Sequence, residues 1–305
     1  MPVSSLTLPQ SYWCAQGKGF QSHCIVIMFL DYIEIGASDF DTEVQKEDTR
    51  VGITVEPVLY YINRLPDKAG CKKINAAISD KSGVVDVYHI PDDTISAHGL
   101  PDWVRGCNSI GGYHPTVVKL LRDRGIQSSD AIVTNRVACI KLIDLVVANG
   151  IEGVYYLKVD TEGHDTTILK HYFENIISQS QLPHIVRFES NSLSSSDDVD
   201  EIIEICETLG YETVSRGHDT VMKINLNKLI NKKDFSNSIS NYYITGHPKG
   251  YDISNLPHDN TLEGAKKYCL EHGHSGVTHQ FGSYEVRSGS HMEYHESNIT
   301  SWVLT

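Results

Sequence analysis

The chain has 305 residues and a formal net charge of −13, which excludes nucleic acid as an expected partner because phosphate binding needs clustered lysine and arginine. Its seven cysteines lie far apart without a CxxC pair, which predicts reduced thiols rather than a disulfide framework or a zinc ribbon. The apolar run at residues 24–30 lacks a basic flank and is too short to span a bilayer. We therefore expect a soluble, cytoplasmic protein with no membrane partner.

Strand-like and helix-like patterns alternate between about residues 25 and 225. The predicted strands are 24–35, 51–55, two short strands on either side of the turn at 80–83, 154–160, 184–190, and a closing hairpin of 211–216 and 220–226. The predicted helices are 58–65, 115–125, 137–150, 166–177 and 198–210. This alternation predicts an α/β fold with a largely parallel sheet, helices on both faces and an antiparallel pair at its end.

Acidic residues are concentrated directly after the predicted strands, where ligands of such sheets bind. Gly36 ends the first strand, and a glycine there would let a ligand approach the backbone without meeting a Cβ. The following stretch, GASDFD, lacks the second and third glycines of the dinucleotide motif GxGxxG. Glu56 ends the second strand and suits the two hydroxyls of an unphosphorylated ribose. These features favour S-adenosylmethionine, whose sulfonium cation also suits an acid-lined pocket.

Six segments between roughly residues 28 and 225 resemble, in order, the FkbM-type class I methyltransferases. They are YIEIGASDFDTEV, VEPVLYYINRL, INAAISDKSG, YYLKVDTEGHDTTILK, VRFESN and GYETVSRGHDTVM. The resemblance implies a Rossmann-like class I methyltransferase sheet, mostly parallel with a C-terminal antiparallel hairpin. It also implies methyl transfer from S-adenosylmethionine to a hydroxyl group, usually on a sugar. The family commonly has Asn at the position of Ser38.

The resemblance also implies a cofactor site built from the ends of the first three strands. Its predicted residues are Glu34, Gly36, Ala37, Ser38, Glu56, Pro57, Ala77 and Ser79. Glu34, Gly36 and Ala37 would form the floor under the methionine moiety, and Glu56 would hold the ribose. Ala77 and Ser79, after the third predicted strand, would lie near the adenine.

Residues 100–121 interrupt the alternation with two turns and predict an acceptor-binding loop. The ring of Trp103 offers an apolar face for a sugar ring, and Asn108, Ser109 and His114 offer hydrogen bonds to its hydroxyls. The alternative is a packed lid without direct substrate contact.

The stretch LKVDTEGHD, residues 157–165, is the predicted catalytic segment. Transfer to a hydroxyl requires alignment of the acceptor and removal of its proton, so Asp160 or His164 is the predicted general base. Lys158 and Glu162 would set the charge around it. A metal-dependent variant has Mg²⁺ held by Asp160, Glu162 and Glu189. The alternative is that these acids only order the turn and cap the next helix.

The domain organisation is predicted from changes in composition. Residues 1–27 are a flexible extension, 28–230 the methyltransferase-like domain, 231–260 a polar linker, and 261–305 a small α+β accessory module of unknown role. The module has a predicted helix opened by Thr261 and short strands at 276–281, 283–289 and 300–305. Because the α/β pattern is complete by residue 226, a fragment ending near residue 235 is expected to fold.

Two other functional classes remain open at this point. An NAD-dependent oxidoreductase would also use an acid at position 56 for its ribose, although the missing glycines argue against it. A non-catalytic glycan-binding protein on a methyltransferase-like scaffold is the second.

Overall fold

The computed structural model describes residues 28–46, 48–229, 235–236 and 238–304. The predicted extension, residues 1–27, lies outside these ranges. Within them, no helix is both long enough and apolar enough to cross a membrane.

The elements are numbered in chain order. The strands are β1 (Met28–Ile35), β2 (Gly52–Val55), β3 (Cys71–Ile74), β4 (Ala77–Ser79), β5 (Gly83–His89), β6 (Ser109–Ile110), β7 (Val133–Lys141), β8 (Ile151–Val159), β9 (Ile185–Glu189), β10 (Tyr211–Arg216), β11 (Asp219–Ile224), β12 (Ile239–Ser240), β13 (Tyr242–Ile244), β14 (Gly276–Gln280), β15 (Ser283–Arg287), β16 (Met292–Tyr294) and β17 (Thr300–Val303). The helices are α1 (Leu59–Arg64), α2 (Asp92–Ala97), α3 (Pro115–Asp123), α4 (Ser128–Ala131), α5 (Leu142–Ala148), α6 (Asp165–Asn175), α7 (Ser196–Thr208) and α8 (Leu262–His272).

A seven-stranded sheet forms the centre of the molecule, with the order β10-β11-β9-β8-β1-β2-β3. Strands β3, β2, β1, β8 and β9 are parallel, whereas β11 runs antiparallel to both β9 and β10. The predicted class I methyltransferase sheet with a terminal antiparallel hairpin is therefore confirmed.

Strand β1 lies in the interior of this sheet, between β8 and β2, and apolar residues occupy both of its faces. Leu30, Ile33 and Ile35 are each about 1% exposed. A fully buried aliphatic side chain of this kind contributes about 1.5 to 3 kcal/mol to folding. Helices α5, α6 and α7 pack against strands of the two sheets. Ser195 caps α7, because its side chain accepts the Asp198 N–H at 3.1 Å.

A second sheet, β4-β7-β5-β6, corrects one predicted element. Residues 137–150 were expected to form one helix, but residues 137–141 belong to strand β7 and only Leu142–Ala148 are helical. The helix prediction was wrong because the segment has two sets of backbone partners. It pairs in parallel with β4 and antiparallel with β5, and this pairing overrides the helical spacing of its apolar residues.

The C-terminal region forms a four-stranded sheet, β12-β17-β14-β15, a strand pair, β13-β16, and helix α8. The predicted cap is confirmed, since Thr261 Oγ1 accepts the Gly264 N–H at 3.0 Å. Strands β12 and β13 lie inside the range predicted as a linker. Tyr242 of β13 is fully buried against Phe29 and Tyr155 of the central sheet, with ring centroids at 6.0 and 4.3 Å. The two regions therefore share one hydrophobic core.

Candidate active site

The order of the central strands reverses between β1 and β8, which is where open α/β sheets bind their ligands. Gly36 follows β1, Asp160 follows β8, and the Asp160 N–H donates to the Ile35 carbonyl at 2.9 Å. Gly36 has φ +79°, and a Cβ there would lie 1.8 Å from the Asp160 carbonyl oxygen. The glycine is thus required by the backbone of β8, whereas the sequence had suggested the approach of a ligand.

An inner pocket opens beside this point, between the central sheet and the second sheet. Apolar side chains form much of its wall, including Ala77, Ile78, Val87 and Ile110. Its polar lining comes from Glu56, Asn108, Ser109, Asp160 and Thr161. An apolar slot with a few converging polar groups is the usual form of a cofactor site.

Glu56 is completely enclosed at the edge of the inner pocket. One carboxylate oxygen accepts the Ser38 N–H at 2.7 Å, and the other accepts the Val58 N–H at 2.8 Å. Burial raises the pKa of Glu56 to about 7, and the nearby charges of Asp39 and Asp160 act in the same direction. A carboxylate has about four acceptor sites, so two hydroxyl groups can still bind here.

An outer pocket adjoins the inner one, and both contain Gly36, Gly106 and Asp160. The remaining lining of the outer pocket comes from Ala37, Ser38, Phe40, Asp41, Trp103, Cys107, Lys158 and Glu162. Trp103 is 42% exposed, so its ring is accessible, as its predicted contact with a sugar ring requires. This pocket brings together the predicted methionine floor, the predicted catalytic segment and one predicted acceptor residue.

Glu34 lies beneath the outer pocket and has no solvent exposure. Its two carboxylate oxygens accept from Lys158 Nζ at 3.1 Å and from the Glu43 N–H at 2.9 Å. Lys158 Nζ also lies 3.8 Å from Asp160 Oδ2. Glu34 therefore holds the lysine in place, and the lysine in turn faces the pocket beside Asp160.

The carboxylates of Asp160, Glu162 and Glu189 converge, with one oxygen of each lying within 4.8 Å of the others. Burial is the main reason that the pKa of Glu189 is raised to about 8. The negative charges of Glu162, Asp165 and Asp160 raise it as well, each by less than burial does. Glu189 Oε2 is buried and has no hydrogen-bond partner among the described residues. Three hard oxygen ligands with excess negative charge fit a cation such as Mg²⁺.

His164 immediately precedes α6, and its side chain contacts the end of β4, where Nε2 is 2.9 Å from Ser79 Oγ. Ser79 donates its hydroxyl to Asp80 Oδ1 at 2.9 Å, so the imidazole Nε2–H donates to the serine oxygen. Burial lowers the pKa of His164. The His164 ring thus contacts Ser79, which was predicted to lie near the adenine, and the neutral ring donates a hydrogen bond to that serine.

The four predicted acceptor residues separate into different positions. Trp103 lines the outer pocket, whereas Asn108 and Ser109 line the inner pocket together with Ala77, one of the two predicted adenine residues. Asn108 donates to the Arg105 carbonyl at 2.9 Å, and Ser109 donates to the Gly112 carbonyl at 2.7 Å. His114 is buried, with Nε2 at 2.9 Å from Glu162 Oε2.

Two residues of this site were not predicted. Asp165 is fully buried and accepts from the Thr161 N–H and from the Glu189 N–H, each at 2.8 Å, so it joins the ends of β8 and β9. An acid in the first turn of a helix was the available signal. Cys107 faces the outer pocket, and no local pattern distinguishes it from the other cysteines.

Comparison with known families matches residues 34–213 to the model of the methyltransferase FkbM domain. No curated protein and no solved structure gives a significant match. The matched range contains the ends of β1, β2, β8 and β9, and with them both pockets.

Proposed function

The chain belongs to the FkbM methyltransferase family and is therefore an S-adenosylmethionine-dependent methyltransferase, for which we propose a hydroxyl group of a sugar or glycan as the acceptor. The observation that carries this proposal is the outer pocket, where an accessible indole ring lies beside a lysine and a carboxylate. Family membership decides against the NAD-dependent oxidoreductase considered from the sequence.

The two pockets fit the cofactor in one orientation. The apolar wall of the inner pocket would hold the adenine, with Asn108 and Ser109 at its edge, and Glu56 would hold the ribose. The methionine moiety would extend over Gly36 and Ala37 into the outer pocket. The cofactor supplies a methyl group that its sulfonium already activates. The chain then has to bind, align and deprotonate the acceptor.

The acceptor would lie at the mouth of the outer pocket. Trp103 offers its ring face to the apolar side of a sugar, which leaves the hydroxyl groups free to face inward. Lys158 Nζ is held by Glu34 and is available as a donor to one of those hydroxyls. An aromatic face combined with a few fixed polar groups suits a neutral polyol.

We assign the general base to Asp160. It lines both pockets, and burial raises its pKa, which makes the carboxylate a better proton acceptor than an exposed aspartate. Lys158, 3.8 Å away, limits this rise by favouring the charged form. His164 instead donates to Ser79, so we assign it to the support of the inner pocket.

A metal-assisted form of the reaction is the second candidate. The convergence of Asp160, Glu162 and Glu189 and the unpartnered Glu189 Oε2 favour it. Such a Mg²⁺ would hold sugar hydroxyls in place. Full activity in EDTA would reject this variant.

The proposal is tested by incubating the purified chain with labelled S-adenosylmethionine and neutral oligosaccharides, with peptides and amines as competing acceptors. We expect label on an oligosaccharide hydroxyl. We also expect Asp160→Asn to reduce the rate by about 100-fold or more, the usual contribution of a general base. The matched variant His164→Ala should retain most of the activity at saturating cofactor. Exclusive labelling of amines would overturn the assignment of a hydroxyl acceptor.

A further inference from the structure

Two loops that line the outer pocket and a third loop behind them bring together a thiol, an imidazole and a carboxylate. Cys107 follows the turn of 3-10 helix at residues 102–105, His114 precedes α3, and Glu162 follows β8. One potential ligand atom of each lies within 4.8 Å of the other two. Glu162 is distant in sequence from Cys107 and His114, so only the fold brings it to them.

The hydrogen bonds of the protein leave this group incompletely satisfied. His114 is 6% exposed, and its Nδ1 has no partner among the described residues. The described contact of the Cys107 sulfur is a long one, at 3.8 Å from the Trp103 carbonyl. Glu162 adds its charge to those of Asp160 and Glu189. Leaving a buried imidazole nitrogen without a partner costs free energy, and, as a separate effect, a cation bound among these residues would offset the negative charge of the carboxylates.

The ligand chemistry identifies the class of cation. Thiolate, imidazole and carboxylate are the ligands of Zn²⁺, whereas Mg²⁺ requires oxygen. At zinc bond lengths, neighbouring ligands of a tetrahedral site lie roughly 3.3 to 3.8 Å apart. The nitrogen and oxygen of His114 and Glu162 are 2.9 Å apart, so small side-chain rotations suffice to place both on one ion.

We propose that Cys107, His114 and Glu162 bind a Zn²⁺ ion whose fourth position is open to the outer pocket. Three protein ligands and one open position are typical of catalytic rather than structural zinc. Cys107 and Glu162 both line the pocket, which gives the open position access to an acceptor.

The role of this ion in the reaction rests on the proposed function. An acceptor hydroxyl bound at the fourth position loses its proton more readily because zinc stabilises the alkoxide. The proton passes to the Asp160 carboxylate. The alkoxide oxygen then forms a bond to the methyl carbon as the carbon–sulfur bond breaks, and the electron pair of that bond neutralises the sulfonium.

Metal content and Co²⁺ substitution test the site on the full chain without an activity assay. Protein stripped by a chelator and dialysed against Zn²⁺ should retain about one ion per chain. The Co²⁺ form should show a thiolate-to-metal absorption band and the visible bands of tetrahedral coordination. Cys107→Ser should abolish the thiolate band, and His114→Ala should weaken Zn²⁺ binding by about 100-fold or more.

Two control variants make the result specific. Cys71→Ser changes another half-buried thiol, and Glu189→Gln removes a ligand of the Mg²⁺ arrangement only, so both should leave the thiolate band unchanged. Stabilisation by S-adenosylmethionine in a thermal melt confirms that each variant is folded. Failure of the wild type to retain Zn²⁺, or a thiolate band that persists in Cys107→Ser, would overturn the proposal.

The assay of methyl transfer separates this inference from the proposed function. Zinc retention without transfer to any hydroxyl acceptor refutes the sugar methyltransferase and leaves the metal site standing. Full transfer activity in a zinc-free Cys107→Ser variant refutes the role of the ion and leaves the proposed function standing.

Discussion

The two ends of the central sheet bury different chemistry. Toward the amino ends of the strands, Phe29, Tyr155, His184 and Tyr242 form an aromatic cluster with the C-terminal region. At the carboxyl ends, carboxylates gather around the two pockets. The first end is mainly apolar and aromatic around a cavity lined in part by Phe29 and His184, whereas the second concentrates carboxylates. Both ends keep buried polar atoms without partners among the described residues, such as His184 Nδ1 at the first and Glu189 Oε2 at the second.

Burial shifts pKa values at both ends, but in opposite directions. It lowers the pKa of His184 to about 4 and raises the pKa of Glu56 to about 7 and of Glu189 to about 8. In each case the charged form is disfavoured. The aromatic end suits a neutral imidazole, which needs no counter-charge. The acidic end holds charge that a cationic ligand would stabilise, so we expect folding to depend on the first end and ligand binding on the second.

The largest effect is expected from removing the C-terminal region. The sequence had suggested that a fragment ending near residue 235 would fold. Because Tyr242 completes the core at Phe29 and Tyr155, we now expect that fragment to be insoluble or molten. In the full chain, Tyr242→Ala should cost about 3 to 5 kcal/mol in urea unfolding. Tyr294→Ala, at the half-buried edge of the same cluster, should cost clearly less. A folded fragment that binds the cofactor would restore the original expectation.

At the acidic end, Gly36→Ala should destabilise the fold by roughly 3 kcal/mol or more. The new methyl group would collide with the Asp160 carbonyl, and the backbone has a positive φ. Gly217→Ala is the matched control, because a Cβ there meets no atom within 4 Å and should change stability by about 0.5 kcal/mol or less. Equal midpoints for the two variants in urea would contradict the close approach of β1 and β8.

Glu56→Gln should weaken S-adenosylmethionine by about 10- to 100-fold, or 1 to 3 kcal/mol, as measured by calorimetry. The amide keeps the shape of the side chain, but its NH2 group cannot accept from the Ser38 or Val58 N–H and leaves fewer acceptor sites for the ribose hydroxyls. A urea melt without cofactor separates the first effect from the second. Glu212→Gln is the control, because Glu212 lies on β10 in a solvent-exposed ion pair with Lys228. This variant should bind the cofactor normally. Unchanged affinity in Glu56→Gln would remove this residue from the ribose site.

The smallest effect expected is a change in the pH dependence of stability. The pKa of Glu189 is raised in the folded state, so its contribution to stability is present below its usual value of 4.5 and is lost as the pH rises through about 8. Glu189→Gln should therefore raise the melting temperature more at about pH 9 than at about pH 5, in metal-free buffer. The loss of stability at acid pH should remain in this variant. The lowered pKa of His184 makes the folded protein less stable as the pH falls from 6.5 toward 4. A melting-temperature difference independent of pH would contradict the crowding of charge around Glu189.

The sequence by itself determined most of the alternation of elements, the ends of β1, β2, β8 and β9, and the family, but it did not separate β3 of the central sheet from β4 of the second sheet. These follow from local patterns: continuous apolar runs for buried parallel strands, acids or glycine directly after them, and six ordered motifs. It also predicted that Asp160, Glu162 and Glu189 would face one space, because the carboxyl ends of neighbouring parallel strands meet at one edge.

Only the tertiary structure decided which partners these residues have. Residues 137–141 are a strand because two other strands pair with them, and Gly36 is required because β8 passes within contact distance. The meeting of Cys107, His114 and Glu162 depends on how three separate loops fold over the sheet edge. Periodicity reports only how one segment distributes its side chains. Distances between loops are set by the order of the strands and the packing above them, which no single segment encodes.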